Sequence, residues 1–211
     1  MTTLATMKSR IADELARSDL TSQIANAIND AIERYQPERF WFNESRDVTF
    51  TTAPGTSSYT ALGGDLAGTA DLYAIDYLLL ASSQNVLLHY LAPERIEYLL
   101  NSGSTTGKPY TYSYYNRAIR LYPAPSGTWT VRVGGHIRKP APASDGEAGN
   151  VWMTDAERLI RARAKYNLAL DVLRDGELAT AMAAAVTEAL EQLKSRSSRQ
   201  ASKGNIAAMA F

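Results

Sequence analysis

The chain of 211 residues contains no cysteine. Disulfides, thiolate nucleophiles and cysteine-ligated metals are therefore excluded. Histidine is almost missing as well: His89 and His136 stand alone, each within a stretch that reads as a strand. A lone strand histidine is a packed or surface residue before it is a base or a ligand. Net charge is absent, since 22 Lys+Arg balance 22 Asp+Glu. Proteins that grip nucleic acid through its phosphates carry a basic excess, so the overall charge argues against that task. No run approaches the roughly 18 apolar residues of a membrane span. The start, MTTLATMKSRIADEL, has no apolar signal core. The expectation is a soluble protein with no membrane segment, no metal and no cofactor.

What is present is ordinary globular material, long enough for one or two domains with a real core. Three regimes follow one another. In residues 1–36, Leu4, Met7, Ile11 and Leu15 recur at helical spacing, SDLT interrupts with cap-forming residues, and Ile24, Ile28, Ile32 and Tyr35 resume the stripe. Pro37 ends the second helix by restricting the residue before it. Residues 46–149 change to period two: Val48 and Phe50 in DVTFTT, and Trp129, Val131 and Val133 in TWTVRVGGHI. DLYAIDYLLL, NVLLHYL, YTYSYY and AIRLYP are further short strands, separated by Gly, Pro and Ser turns. Most of the twelve tyrosines fall here, a usual sheet preference. One short helix, APERIEYLL, starts on Pro93 with Glu94 in its first turn.

The loop KPAPASDGEAGN precedes a helix that Thr154 and Glu157 are placed to open as a capping box. That helix carries Leu159, Ala162, Tyr166, Leu170 and Leu173 inward, and Gly176 is suited to close it. A second helix with Leu178, Met182, Val186, Leu190 and Leu193 completes an αα-hairpin. Each helical pair alone buries too little area, so the expected fold is α+β. The N-terminal helix pair (1–45) and the C-terminal hairpin (151–194) form one helical bundle, an antiparallel β domain (46–150) is inserted, and 195–211 is an extended C-terminal tail.

Catalytic motifs fail on inspection. GSTTGKP (103–109) is one residue short of a phosphate loop, and Pro109 stands where a magnesium-binding hydroxyl is needed. GGDLAG (63–68) lacks dinucleotide spacing. Asp71 with Asp76, and Glu94 with Glu97, are carboxylate pairs without a context for acid–base work. The chain reads as a non-enzyme. The first two helices, taken as a helix-turn-helix, hold Lys8, Arg10, Arg17 and Arg34 against five acids, a poor phosphate grip.

Two stretches stand out. PERFWFNE places Phe40, Trp41 and Phe42 in a row, and consecutive side chains cannot share one face. The open readings are burial at the bundle–sheet junction, a contact with a neighbouring subunit, and a ligand-facing patch. The end, KSRSSRQASKGNIAAMAF, carries Lys194, Arg196, Arg199 and Lys203 with no acid, then Ile206, Met209 and Phe211. It reads as a frayed terminus or as a tail that folds into a partner's groove, a basic approach ending in an apolar anchor.

LTSQIANAINDAIERYQPERFWFNES, TGKPYTYSYYNRAIRLYPAP and WMTDAERLIRARAKYNLALDVLRD, in that order, resemble the head-to-tail adaptor (connector, head-completion or neck) proteins of tailed bacteriophages. The resemblance spans residue 4 to about 195. It implies a structural virion protein, assembled in the host cytoplasm and sited in the neck. Such adaptors form a ring, usually of twelve copies, beneath the portal protein ring and enclose the passing genomic DNA without sequence-specific contact. They are often monomeric until they meet the portal, and their far side receives a tail tube, nozzle or other neck protein. It further implies that the C-terminal segment, here Arg199, Lys203, Ile206, Met209 and Phe211, reaches clefts of the portal. The main rival is a carbohydrate-binding module on a helical stalk, with Tyr112, Tyr114, Tyr115 and Trp129 as a stacking platform. A DNA-binding helix-turn-helix accessory is a second.

Overall fold

The apolar spacing of the first 36 residues becomes two helices in the computed structural model, which describes residues 2–60, 72–82, 84–103 and 105–201. α1 (Leu4–Glu14) is capped by Thr3, whose hydroxyl accepts from the Thr6 amide, and buries Leu4, Met7 and Ile11. α2 (Thr21–Tyr35) buries Ile24, Ala27, Ile28, Ala31, Ile32 and Tyr35. The cap expected from SDLT is not used: the N-cap position is Leu20, which is buried, so packing outweighs a side-chain cap there.

Between the helices Arg17 grips Asp19 with two hydrogen bonds of 2.8 Å. The hydrogen bond from Arg17 first, and the Asp19 backbone second, lower the Asp19 carboxyl to about 2. A depressed folded pKa means that the pair's contribution is complete above the ordinary value of 3.8 and lost as pH falls through about 2. A carboxyl-detected NMR titration should therefore find Asp19 titrating near 2. Arg17→Ala should return it towards the ordinary carboxylate range, and an unchanged midpoint would show that the guanidinium is not the cause.

The chain divides into two compact units, residues 1–42 with 139–211 and residues 43–138. In the first, α4 (Val151–Thr154), α5 (Glu157–Leu168) and α6 (Gly176–Ala201) complete the helices, and α5 packs against α1, α2, α4 and α6. Its core includes Met7, Ile11, Ile28, Ile32, Phe40, Trp152, Leu159, Ile160 and Leu168.

Several sequence expectations are corrected here. The capping box does not form: Asn150 caps α4 through its side-chain oxygen, and Thr154, at the end of α4, donates its hydroxyl to the Asn150 carbonyl. Glu157 instead takes Arg10 at 3.1 Å. Gly176 starts α6 rather than closing α5. The left-handed closing residue is Arg174, and Asp175 caps α6 at the Leu178 amide. A π-helical turn at Ala169–Leu173 adds a residue to the turn and shifts its phase. Ala169 is thereby fully buried, and Leu170, expected inward, is exposed. Residues 195–201, expected in the extended tail, continue α6, with Ser197 returning its hydroxyl to the Leu193 carbonyl.

Residues 139–150, read as the end of the β domain, group with the helices. The Lys139 carbonyl accepts from Gln36 Nε2 at 2.5 Å and from Trp152 Nε1 at 2.9 Å, and Asp145 pairs with Lys8 at 2.6 Å.

Among the described residues the second unit holds a seven-stranded sheet, a short two-stranded pair and a helix. The strands of the sheet are β1 (Glu44–Thr51), β2 (Ser58–Thr60), β3 (Leu72–Ala81), β4 (Val86–Tyr90), β6 (Thr111–Tyr115), β7 (Ala118–Tyr122) and β9 (Thr130–Ile137). Among the described residues the order is β1-β9-β3-β4-β6-β7-β2. The expected antiparallel sheet is in fact mixed. β4 and β6 run parallel, with Tyr90 opposite Tyr112, because α3 (Pro93–Asn101) carries the chain back between them. A short parallel pair joins β5 (Thr106–Gly107), in the segment that superficially matched a phosphate loop, to β8 (Ala124–Pro125). Phe50, Val131 and Val133, chosen by period two, lie in the core with Tyr59, Leu78, Leu80, Ile119 and Leu121. His136 is buried with its ring stacked on Tyr73 at 5.1 Å, and His89 is exposed. GGDLAG and Asp71 lie outside the described residues.

Candidate functional site

The three consecutive aromatics diverge because Trp41–Asn43 form a 3₁₀ turn, in which successive side chains point about a third of a circle apart. Phe40 is fully buried. Phe42 meets the Trp152 ring edge-on at 5.2 Å and stacks with Phe40 at 5.3 Å; Phe40 reaches the same indole at 6.4 Å. Trp41 meets Phe42 edge-on at 5.2 Å and also lies under the Arg196 guanidinium, 4.3 Å from its ring, and Arg196 holds Asp155 at 3.1 Å. A loop aromatic is thus clamped to α6, and a fully buried Phe40 cannot face a ligand. All three residues immediately precede the passage of the chain into the sheet unit.

Of the residues expected in the tail, Arg199 lies in the last turn of α6. Lys203, Ile206, Met209 and Phe211 lie outside the described residues.

The sugar platform does not assemble. Strand neighbours alternate between faces, so Tyr112 lies in the core, Tyr114 is part-buried with its hydroxyl donating to the Leu72 carbonyl, and Tyr115 is 72% exposed. Trp129 packs against the core from the side. The helix-turn-helix alternative weakens too. Lys8, Arg10 and Arg17 are paired with Asp145, Glu157 and Asp19, leaving little charge for phosphates.

Sequence reasoning missed an open cleft of about 850 Å³ in the sheet unit. Tyr90, Tyr114 and Tyr115 line it with Glu94, Glu97 and Arg120. Glu97 and Arg120 form an ion pair of 3.1 Å. Its residues come from the end of β4, the first turns of α3 and the β6–β7 hairpin, so no linear spacing announces them. The signals available were tyrosine at strand ends and the Glu94 and Glu97 pair, for which the sequence offers no common context.

No helix among the described residues is long and apolar enough to cross a membrane. No curated protein matches the sequence. Residues 2–208 match the family model of the SU10 adaptor protein, covering both units and the segments joining them. The chain therefore belongs to this family of phage head-to-tail adaptors, as the aromatic run, the TGKP–LYP stretch and the WMTDAE helix start had led one to expect.

Proposed function

We propose that the protein is a structural, non-enzymatic component of the virion neck. In this reading it forms a ring, of about twelve copies, beneath the portal ring, and encloses the DNA channel. The observation that carries the reading is the family match over residues 2–208. The helical unit serves as the bundle that packs side by side in the ring, and the segment after α6 docks on the portal. Tail proteins attach on the far side.

The docking part is supported by chemistry. Arg199 lies in the last turn of α6, and Lys203, Ile206, Met209 and Phe211 follow it in sequence without an acid. Burying Ile206, Met209 and Phe211 would contribute roughly 5–9 kcal/mol before ordering and association are subtracted. Repetition around a ring restores much of that loss through avidity.

Sedimentation velocity of the protein alone and with purified portal rings of the same phage tests the reading. The expected result is a slow free species that shifts wholly onto the ring, at about one copy per portal subunit. A chain ending at Ala201, which leaves α6 whole, should remain free. Full occupancy by that shortened chain would overturn the docking role of the last ten residues; no association of the full chain would overturn the portal reading itself.

A further inference from the structure

We infer that the cleft of the sheet unit is a docking site for a protein partner that presents a cationic side chain, arginine in preference to lysine. The inference does not depend on the portal reading, because it concerns a different surface and leaves the partner open.

The walls are aromatic and preorganised. Tyr90 closes β4 and is 60% exposed, yet its ring is held by an edge contact of 5.7 Å with the buried Tyr112. Tyr115 closes β6, immediately before a hairpin turn in which Asn116 and Arg117 both take left-handed conformations, at φ 50° and 58°. Such a two-residue turn matches the twist of its strands and fixes where Tyr115 stands. Tyr115, on the face of β6 opposite Tyr112, thus offers its ring to solvent from a rigid strand end, while Tyr90 closes the cleft at the end of β4 with its ring held on the Tyr112 side.

The charge selects the occupant. Glu94 lies in the first turn of α3 and makes no ion pair among the described residues. Glu97, one turn on, is matched by Arg120. Two carboxylates against one guanidinium leave an excess negative charge in the lining of the cleft. A cation over an aromatic face gains from the ring quadrupole and from a carboxylate at the same time. Arginine fits better than lysine, because its planar group can stack on tyrosine and pair with Glu94 together. An acidic partner would meet the excess carboxylate. A purely apolar one would strip water from Glu94 and from the Glu97–Arg120 pair without replacing it. The cleft is large enough for several residues around that side chain, which favours a protein segment over a small cation.

NMR titration of the full-length, isotope-labelled protein tests this. The probes are N-acetyl-arginine amide, N-acetyl-lysine amide, N-acetyl-norleucine amide and maltohexaose. Saturable amide shifts centred on Tyr90, Glu94 and Tyr115 are expected with the arginine probe, weaker with lysine and absent with norleucine. Glu94→Gln and Tyr115→Ala, both at exposed positions, should each weaken the arginine probe by about two- to fivefold while leaving the remaining spectrum unchanged. Shifts that do not saturate, that norleucine reproduces, or that survive Glu94→Gln at full strength would overturn the inference. Saturation by maltohexaose alone would overturn it in favour of a sugar site.

Discussion

Trp152→Ala is expected to lower the stability of the helical unit by about 3–5 kcal/mol. The side chain is fully buried in α4 and touches both Phe40 and Phe42 edge-on, so its removal opens a void beside two rings, one of them in the 3₁₀ turn. The loss is not only of volume. Its indole N–H donates to the Lys139 carbonyl at 2.9 Å, and that carbonyl also takes Gln36, which is itself buried. Trp152→Phe separates the two effects: it keeps most of the ring contact, loses the hydrogen bond, and should cost less than half as much, with about 1 kcal/mol of it from the bond. Urea unfolding followed by the far-UV helical signal measures both. A Trp152→Ala unfolding free energy within about 1 kcal/mol of the parent would mean that the cavity collapses and that the aromatic cluster does not hold this unit together.

Gly135→Ala should destabilise the sheet unit by about 3 kcal/mol or more, the upper end of overpacking costs. Gly135 lies on β9, paired to Ser45 of β1 on one side and to Ile75 of β3 on the other. A Cβ there would sit 2.2 Å from the Ala74 carbonyl oxygen and 3.1 Å from the Ile75 Cα, both backbone atoms. Relief requires β3 to move, and β3 also pairs with β4. Gly134→Ala is the control. Its Cβ would fall 2.2 Å from Cε1 of the Tyr77 ring, a side-chain atom that rotation about χ1 can move aside. That variant should cost about 1–2 kcal/mol. Trp129, packed against the sheet core, reports both transitions by fluorescence. Equal costs at the two glycines would show that the β3–β9 backbone yields as readily as a ring. The glycine pair could be noticed in TWTVRVGGHI, but nothing in the sequence says that one faces a ring and its neighbour a carbonyl.

The same division runs through the rest of the molecule. The stripe of Ile24, Ile28 and Ile32 was legible because a helix repeats its burial locally, and Phe50, Val131 and Val133 because a strand does so too. Pro93 at the start of α3 needed no tertiary information, since a missing N–H is harmless only there. Caps were less legible. Thr154 and Glu157 had the right spacing for a box, yet Asn150 and the Arg10 ion pair claimed those roles, because a cap competes with every other partner within reach. Leu170 was misplaced because a π turn changes the phase of a helix without changing its composition.

Of the residues singled out for function, Phe40, Trp41 and Phe42 could be recognised as unable to share a face, but not as bound to Trp152 and Arg196, more than a hundred positions away. The cleft was not legible at all. The chosen platform of Tyr112, Tyr114, Tyr115 and Trp129 counted tyrosines without their alternation, and Tyr90, Glu94 and Arg120 became neighbours only through the parallel return of β6 beside β4.

By itself the sequence determined the α+β class, most helix and strand positions, and the adaptor family, because period, turn chemistry and ordered motifs are properties of neighbouring residues. Only the tertiary structure decided the parallel β4–β6 pairing, the attachment of residues 139–150 to the helices, the clamp of Arg196 on Trp41 and the tyrosine-lined cleft. The reason is physical: a buried face states that it needs a partner, and packing between distant segments determines which partner it finds.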